Sequence, residues 1–186
     1  MYEPVSPARI RAFLEALGRE YRHPARILLV GGTTIVLKEL RAHTVEIDLV
    51  VQVSNEHRTD LVEAIRRLKV SMDVSVEEVN PGDFIPLPRG HDTRTIFFGR
   101  FGEIEVLHFD PYSTALSKVA RWTDKDIEDV LAMARSGLIE KRKLDECYRD
   151  ILPRFGKESL KQDPASFKQH YADLKQKLPL TDGMEG

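Results

Sequence analysis

The sequence is most informative at first for what it has little of. Cysteine occurs once, as Cys147, in 186 residues. One thiol excludes an internal disulfide, fits a reducing compartment and implies no zinc site. Net charge is almost absent, since 28 Lys and Arg stand against 30 Asp and Glu, and so small an excess names no partner. No stretch approaches the ~20 apolar residues of a membrane span, and the opening MYEPVSPARIRAF lacks the continuous apolar run of a signal peptide. Internal repeats and low-complexity tracts are missing too. These absences point to a cytoplasmic protein with no membrane partner. What is present, 41% apolar and 31% charged residues, suits one globular domain, with or without an appendage, around one main core.

The pattern of elements begins with SPARIRAFLEALG. Ser6 caps a helix, Pro7 suits its first turn, Ile10, Phe13, Leu14 and Leu17 form a stripe, and Gly18 suits the stop. RILLV reads as a short apolar strand ending at Gly31-Gly32, and TTIVLKEL as a helix opening at those glycines. VEIDLVVQV is rich in β-branched residues and reads as a strand. Leu61, Ile65 and Leu68 mark a helix, and MDVSVEEV a strand. The three prolines and two glycines of NPGDFIPLPRGHDTR, residues 80–94, indicate a long loop. TIFF and EIEVLHF pair around the turn GRFG. After Asp110-Pro111 the chain turns helical. YSTALSKVAR, DKDIEDVLAMARSG capped by Thr123, and EKRKLDECYRDIL precede a last helix after Asp163-Pro164, whose stripe of Phe167, Tyr171, Leu174 and Leu178 docks on its own domain or on a second copy. The tail, residues 180–186, reads as frayed. The architecture is α+β: a small mixed sheet flanked by helices over residues 1–110, and a helical C-terminal half over 111–186 packed on that core.

Chemistry concentrates in LLVGGTTIVLKELRAHTVEIDLVV. Glu46 and Asp48 alternate onto one face of a strand, with Cα atoms ~6.5 to 7 Å apart. Two partly buried carboxylates repel and lose hydration, so they need a positive answer or raised pKa values. A divalent cation is one such answer, because magnesium takes oxygen ligands and pairs with one or two carboxylates plus substrate phosphates. Gly31 and Gly32 remove Cβ atoms where a phosphate approaches a helix start, and Thr33 and Thr34 add hydroxyls. A dinucleotide-binding reading fits poorly: the third glycine is missing, and two acids stand in the strand where one at its end is needed. His108 faces away from Glu105 on its strand and reads as a core histidine, and Trp122 as a packing residue.

VGGTTIVLKELRAHTVEIDLVV resembles the signature of the nucleotidyltransferase superfamily with the DNA polymerase beta-like catalytic fold: an apolar residue, Gly-Gly or Gly-Ser, a helix, then acid-apolar-acid on a strand. GRFGEIEVLHFDPYSTALSKVARWTDKDIEDV is similar to the small bacterial members related to abortive-infection and toxin-antitoxin nucleotidyltransferases. There, a third carboxylate sits on a following strand and a Lys…Arg…Lys-Asp-x-x-Asp run on the next helices. The resemblance spans roughly residues 27 to 135.

By that resemblance Glu46, Asp48 and Glu105 are the catalytic acids and metal ligands, with Glu105 as general base and Glu103 its substitute. Gly31, Gly32, Thr33, Lys118, Arg121, Asp126 and Asp129 bind the nucleotide. The cofactor is Mg²⁺ or Mn²⁺, and the substrate a nucleoside triphosphate. The implied reaction transfers a nucleoside monophosphate to a hydroxyl of an RNA, protein or small-molecule acceptor by a two-metal mechanism. The first acid of that family is most often Asp. Glu46 in its place leaves a second reading open, a non-catalytic nucleotide- or partner-binding member of a toxin-antitoxin or phage-defence system. A third reading, direct binding of an RNA such as tRNA, rests on residues 141–177, where ten Lys or Arg stand against six Asp or Glu.

Overall fold

The computed structural model describes residues 3–158 and 162–178; the tail at 180–186 lies outside them. The chain forms two units, Met1–Val79 with Thr95–Phe109, and Asn80–Arg94 with Asp110–Gly186. The proline-rich segment 80–94, which the sequence left within the sheet-bearing region, thus groups with the helices.

The first unit opens with α1 (Pro7–Glu20), where the Ser6 side chain accepts the Arg9 N–H and Ile10, Phe13, Leu14 and Leu17 are buried. Then follow β1 (Ala25–Leu29), α2 (Gly31–Leu37), β2 (Ile47–Gln52), α3 (Asn55–Ser71), β3 (Val76–Glu78), β4 (Ile96–Phe101) and β5 (Ile104–His108). The sheet runs β3-β2-β1-β5-β4. β1 pairs antiparallel with β2 and parallel with β5, β2 parallel with β3, and β4 antiparallel with β5. Alternation along the strands sends Ile27, Leu29, Ile47, Leu49, Ile104 and Val106 into one core with the α1 stripe and with Leu61, Ala64 and Leu68 of α3. The mixed α+β sheet expected from the sequence is therefore present.

Two glycines act differently from expectation. α1 does not stop at Gly18 but runs on to Glu20. Gly18 is needed because the β4–β5 turn presses on it: a Cβ there would lie 2.5 Å from the Phe101 carbonyl carbon. The turn itself is Gly102-Glu103 and not GRFG, since Gly99, Arg100 and Phe101 remain in β4. Gly102 has φ +58°, and a Cβ would collide with the Gly18 carbonyl oxygen. Gly102→Ala is accordingly expected to lower stability by at least ~1 to 3 kcal/mol, the usual cost of a strained backbone, read as a drop in the urea midpoint.

The second unit holds short 3₁₀ turns at Pro81–Asp83 and His91–Arg94, then α4 (Pro111–Arg121), α5 (Asp124–Arg135), α6 (Lys141–Ile151) and α7 (Pro164–Lys177). Asp110, fully buried, accepts two hydrogen bonds from Arg94 at 2.9 and 2.8 Å and the N–H groups of Tyr112 and Ser113, which fastens the 80–94 segment to the start of α4. α7 docks within its own unit: Tyr171 stacks on Tyr148 at 3.7 Å and Phe167 on Phe155 at 4.2 Å. Trp122 ends α4 in the left-handed region and stacks on His170 at 4.8 Å, a packing role as anticipated. Cys147 is buried, and burial pushes its thiol pKa up.

Candidate active site

The strands and α2 bring three acids together. β1 and β2 pair so that Leu29 faces Leu49, which sets Asp48 level with Val30, the residue just before α2. The Val30 N–H donates to the Asp48 carbonyl at 3.1 Å. Parallel pairing of β2 with β3 sets Glu77 beside Asp48. Glu46, immediately before β2, projects to the same side. Oxygens of Glu46, Asp48 and Glu77 all lie within 4.8 Å of one another, with the first two half-buried and Glu77 exposed.

The support beneath Asp48 comes from α2. Thr33, fully buried, accepts the Asp48 N–H on its hydroxyl at 2.8 Å. Thr34 donates its hydroxyl proton to the Leu29 carbonyl at 2.9 Å and lies 3.2 Å from His108 Nδ1, which donates in turn. Burial, with lesser contributions from Lys38 and Arg11, lowers the His108 pKa to about 4, so this core histidine stays neutral near pH 7. Both threonine hydroxyls are thus engaged by the scaffold, and Thr33 holds the backbone of the strand that carries Asp48. Replacing Thr33 with Val leaves the Asp48 N–H unpaired. The expected result is a loss of ~1 to 3 kcal/mol in chemical denaturation, together with reduced activity from a loosened carboxylate.

The two glycines also divide their work. Gly31 has φ +56°, and a Cβ on it would stand 3.2 Å from Asp48 Oδ2, so the start of α2 passes directly beside the acids. Gly32 faces elsewhere: its missing side chain leaves room for Arg41 Nη2 and Thr44 Oγ1, which a Cβ would meet at 2.5 and 2.6 Å. Thr44 is pinned in turn by reciprocal backbone hydrogen bonds with Val5. Gly32 therefore closes the loop leading to Glu46, and the space above it is taken by that loop.

Glu105 does not join the cluster. It is opposite Arg26 and forms an ion pair with that guanidinium at 2.8 Å. Arg26 is four residues from Val30, hence ~13 Å along the sheet from the row of Asp48, and Glu105 lies a further strand away. The pairing of β5 and β2 with β1 puts Glu105 on the face that carries Asp48, but at the other end of it. With its substitute Glu103, it lines an open cleft there. The third acid near Asp48 is Glu77, which the sequence reading passed over. Its one signal was an acid in the strand after α3.

Lys118, Arg121, Asp126 and Asp129 belong to the second unit and answer one another. Lys118 is 3% exposed, and its ammonium donates to Asp126 at 3.1 Å and Asp129 at 2.7 Å. Arg121 donates to both oxygens of Asp126, whose Oδ2 also accepts from the Thr123 hydroxyl at 2.9 Å. Burial raises the Asp126 pKa, but the Arg121 hydrogen bond, the Lys118 charge and Thr123 outweigh it and hold the carboxyl below its ordinary value. The Lys118 ammonium is accordingly engaged by carboxylates, where the resemblance implied phosphate. Asp126 and Asp129 hold these cations, and Thr123 caps α5 as expected.

The sequence model of a family described as nucleotidyltransferases of unknown function (DUF6036) matches residues 8–178. The chain belongs to that family. No curated protein matches it, and no solved structure does. Membership in the nucleotidyltransferases agrees with the strand, Gly-Gly, helix, acid-apolar-acid order that the structure folds into one corner of a sheet. No helix among the described residues is long and apolar enough to cross a membrane.

Proposed function

We propose that this nucleotidyltransferase moves a nucleoside monophosphate from a nucleoside triphosphate to a hydroxyl of an RNA, protein or small-molecule acceptor, at Glu46, Asp48 and Glu77. The observation that carries this reading is the meeting of those three carboxylates beside the start of α2. The donor set fits Mg²⁺ or Mn²⁺: every ligand atom is a carboxylate oxygen, the hard donor those ions take. Divalent ions bound there, two in the full mechanism, would neutralise the triphosphate and make the attacking hydroxyl more acidic.

The residues themselves account for positioning. Asp48 is fixed at its backbone by Thr33 and Val30, so its carboxylate is held while Glu46 and Glu77 adjust around it. Gly31 lets the triphosphate approach with no side chain between it and the acids. Glu77, the most exposed, accepts the proton of the incoming hydroxyl. The acceptor oxygen bonds to the α-phosphorus, the α–β bridging bond breaks, and pyrophosphate leaves with that electron pair.

The non-catalytic alternative draws on the burial of Lys118 against Asp126 and Asp129, which removes one expected phosphate clamp. Incubating the protein with each α-³²P-labelled nucleoside triphosphate, Mg²⁺ or Mn²⁺, and cell extract separates the two. Label appearing in RNA, protein or a small product supports transfer. Metal-dependent triphosphate binding without label supports the binding module, a part suited to a toxin-antitoxin or phage-defence system. Absence of both overturns the reading.

A further inference from the structure

The end of the sheet opposite the three acids carries another group of ligating side chains. His23 lies in the segment between α1 and β1, and His57 and Asp60 lie three residues apart in the opening turns of α3. The imidazoles stack with centroids 3.8 Å apart and planes 9° from parallel. A nitrogen from each ring and a carboxylate oxygen of Asp60 all lie within 4.8 Å of one another. We propose that His23, His57 and Asp60 form a second metal site, which binds a borderline transition ion of the zinc class.

The donor chemistry separates this site from the first. Two imidazoles with one carboxylate suit Zn²⁺, Ni²⁺ or Co²⁺, whereas three carboxylates suit Mg²⁺ or Mn²⁺. The single cysteine implied no zinc site, but imidazole nitrogens replace thiolates in this role. The His23 nitrogens are available, and His57 Nε2 has one exposed carboxylate beside it. Among the described residues the His23 ring has aromatic neighbours, Tyr21 and His57, and no hydrogen-bond partner, while His57 Nε2 meets Glu56 at 3.4 Å.

Binding requires small movements. Ligand atoms around a tetrahedral zinc ion stand ~3.3 Å apart, closer than the 4.8 Å limit within which these lie. The ion also sits in the plane of each imidazole, so the two rings must rotate out of their parallel stack. Both histidines are half-buried and Asp60 is exposed, which leaves room for that rotation. Three protein ligands leave a fourth position. His57 and its neighbour Glu56 line an open cleft of about 700 Å³ shared with Arg26, Arg100 and Glu105, so that position is reachable from solvent.

The site is distinct from the acids by location. His57 follows the C-terminal end of β2, and Asp48 lies near its start, so the chain separates them by ~13 Å over Asp48 to Gln52 alone. An ion there would cross-link the α1–β1 segment to α3 and stabilise the folded state by linkage.

The test uses the metal-free full chain without a histidine tag. Titration with ZnCl₂, followed by calorimetry and thermal denaturation, is expected to show saturable binding and a raised Tm that MgCl₂ at the same concentration does not reproduce. His57→Gln and Asp60→Asn are expected to weaken zinc binding at least ~tenfold and to lose the rise in Tm, whereas Asp48→Asn keeps both. In the unaltered protein the imidazole ¹⁵N resonances of His23 and His57 are expected to shift with zinc, a readout independent of whether any variant folds. Unmoved resonances overturn the proposal. So does zinc affinity that survives His57→Gln and Asp60→Asn but falls in Asp48→Asn, because the ion then sits on the three carboxylates.

Discussion

Asp48→Asn is expected to lower the rate of nucleotide transfer by ~10² to 10³-fold or more, the effect of removing one preorganised electrostatic group from a phosphoryl-transfer site. The amide keeps the size of the side chain and leaves untouched the backbone hydrogen bonds to Thr33 and Val30. The measurement is therefore of charge and not of folding, with circular dichroism and Tm as controls. Glu77→Gln is expected to follow Asp48→Asn in direction. Glu105→Gln is expected to leave transfer unchanged, because that carboxylate is committed to Arg26 far along the sheet. A reversed order, with Glu105→Gln inactive and Glu77→Gln active, would return the third acid to β5 and refute the site described above.

The largest effect on stability is expected at Lys118. Lys118→Met fills similar volume but leaves Asp126 and Asp129, each about 4% exposed, facing one another without the ammonium between them. Breaking a buried pair from one side costs ~3 to 5 kcal/mol, a large part of the stability of a domain this size. Urea denaturation at pH 7 checks it. Arg121→Ala removes a half-exposed guanidinium from the same cluster, and solvent screening limits its cost to ~1 kcal/mol or less. The pH dependence has a definite sign. The Asp126 carboxyl is held below its ordinary pKa, so its contribution is complete above that ordinary value and disappears as the pH falls through the lowered one. Acid unfolding of the unaltered chain should therefore be displaced toward neutral pH in Arg121→Ala.

Much of this was written in the sequence, for reasons that also mark where reading stops. Capping and period signalled α1, α5 and α7, because Ser6, Thr123 and Asp163 cap their helices within a few residues. Glu46 and Asp48 were legible because period-two alternation is a local property. Glu77 and Glu105 were not, because choosing between them requires the register of strands far apart in the chain. Alternation assigns a face and says nothing about position along it, and the β2–β3 pairing is set by how α3 packs. Lys118 and Arg121 looked alike as helical cations. Their difference lies in burial, which depends on how α4 meets α5. The joint work of Gly18 and Gly102 was hidden similarly, since each makes room for the other 84 positions away in the chain.

The order of the strands has a consequence for how the chain is made. β1 lies between β2 and β5, but β5 is synthesised about 80 residues after β1 and only once the whole 80–94 segment has been made. Until residue 109 leaves the ribosome, one edge of β1 has its backbone amides and carbonyls unpaired, a template for pairing with another nascent chain. Such distant pairing slows folding and prolongs exposure to aggregation. The nascent protein is thus most vulnerable between the emergence of β3 and that of the β4–β5 hairpin, an interval in which a chaperone that shields open strand edges would raise the yield.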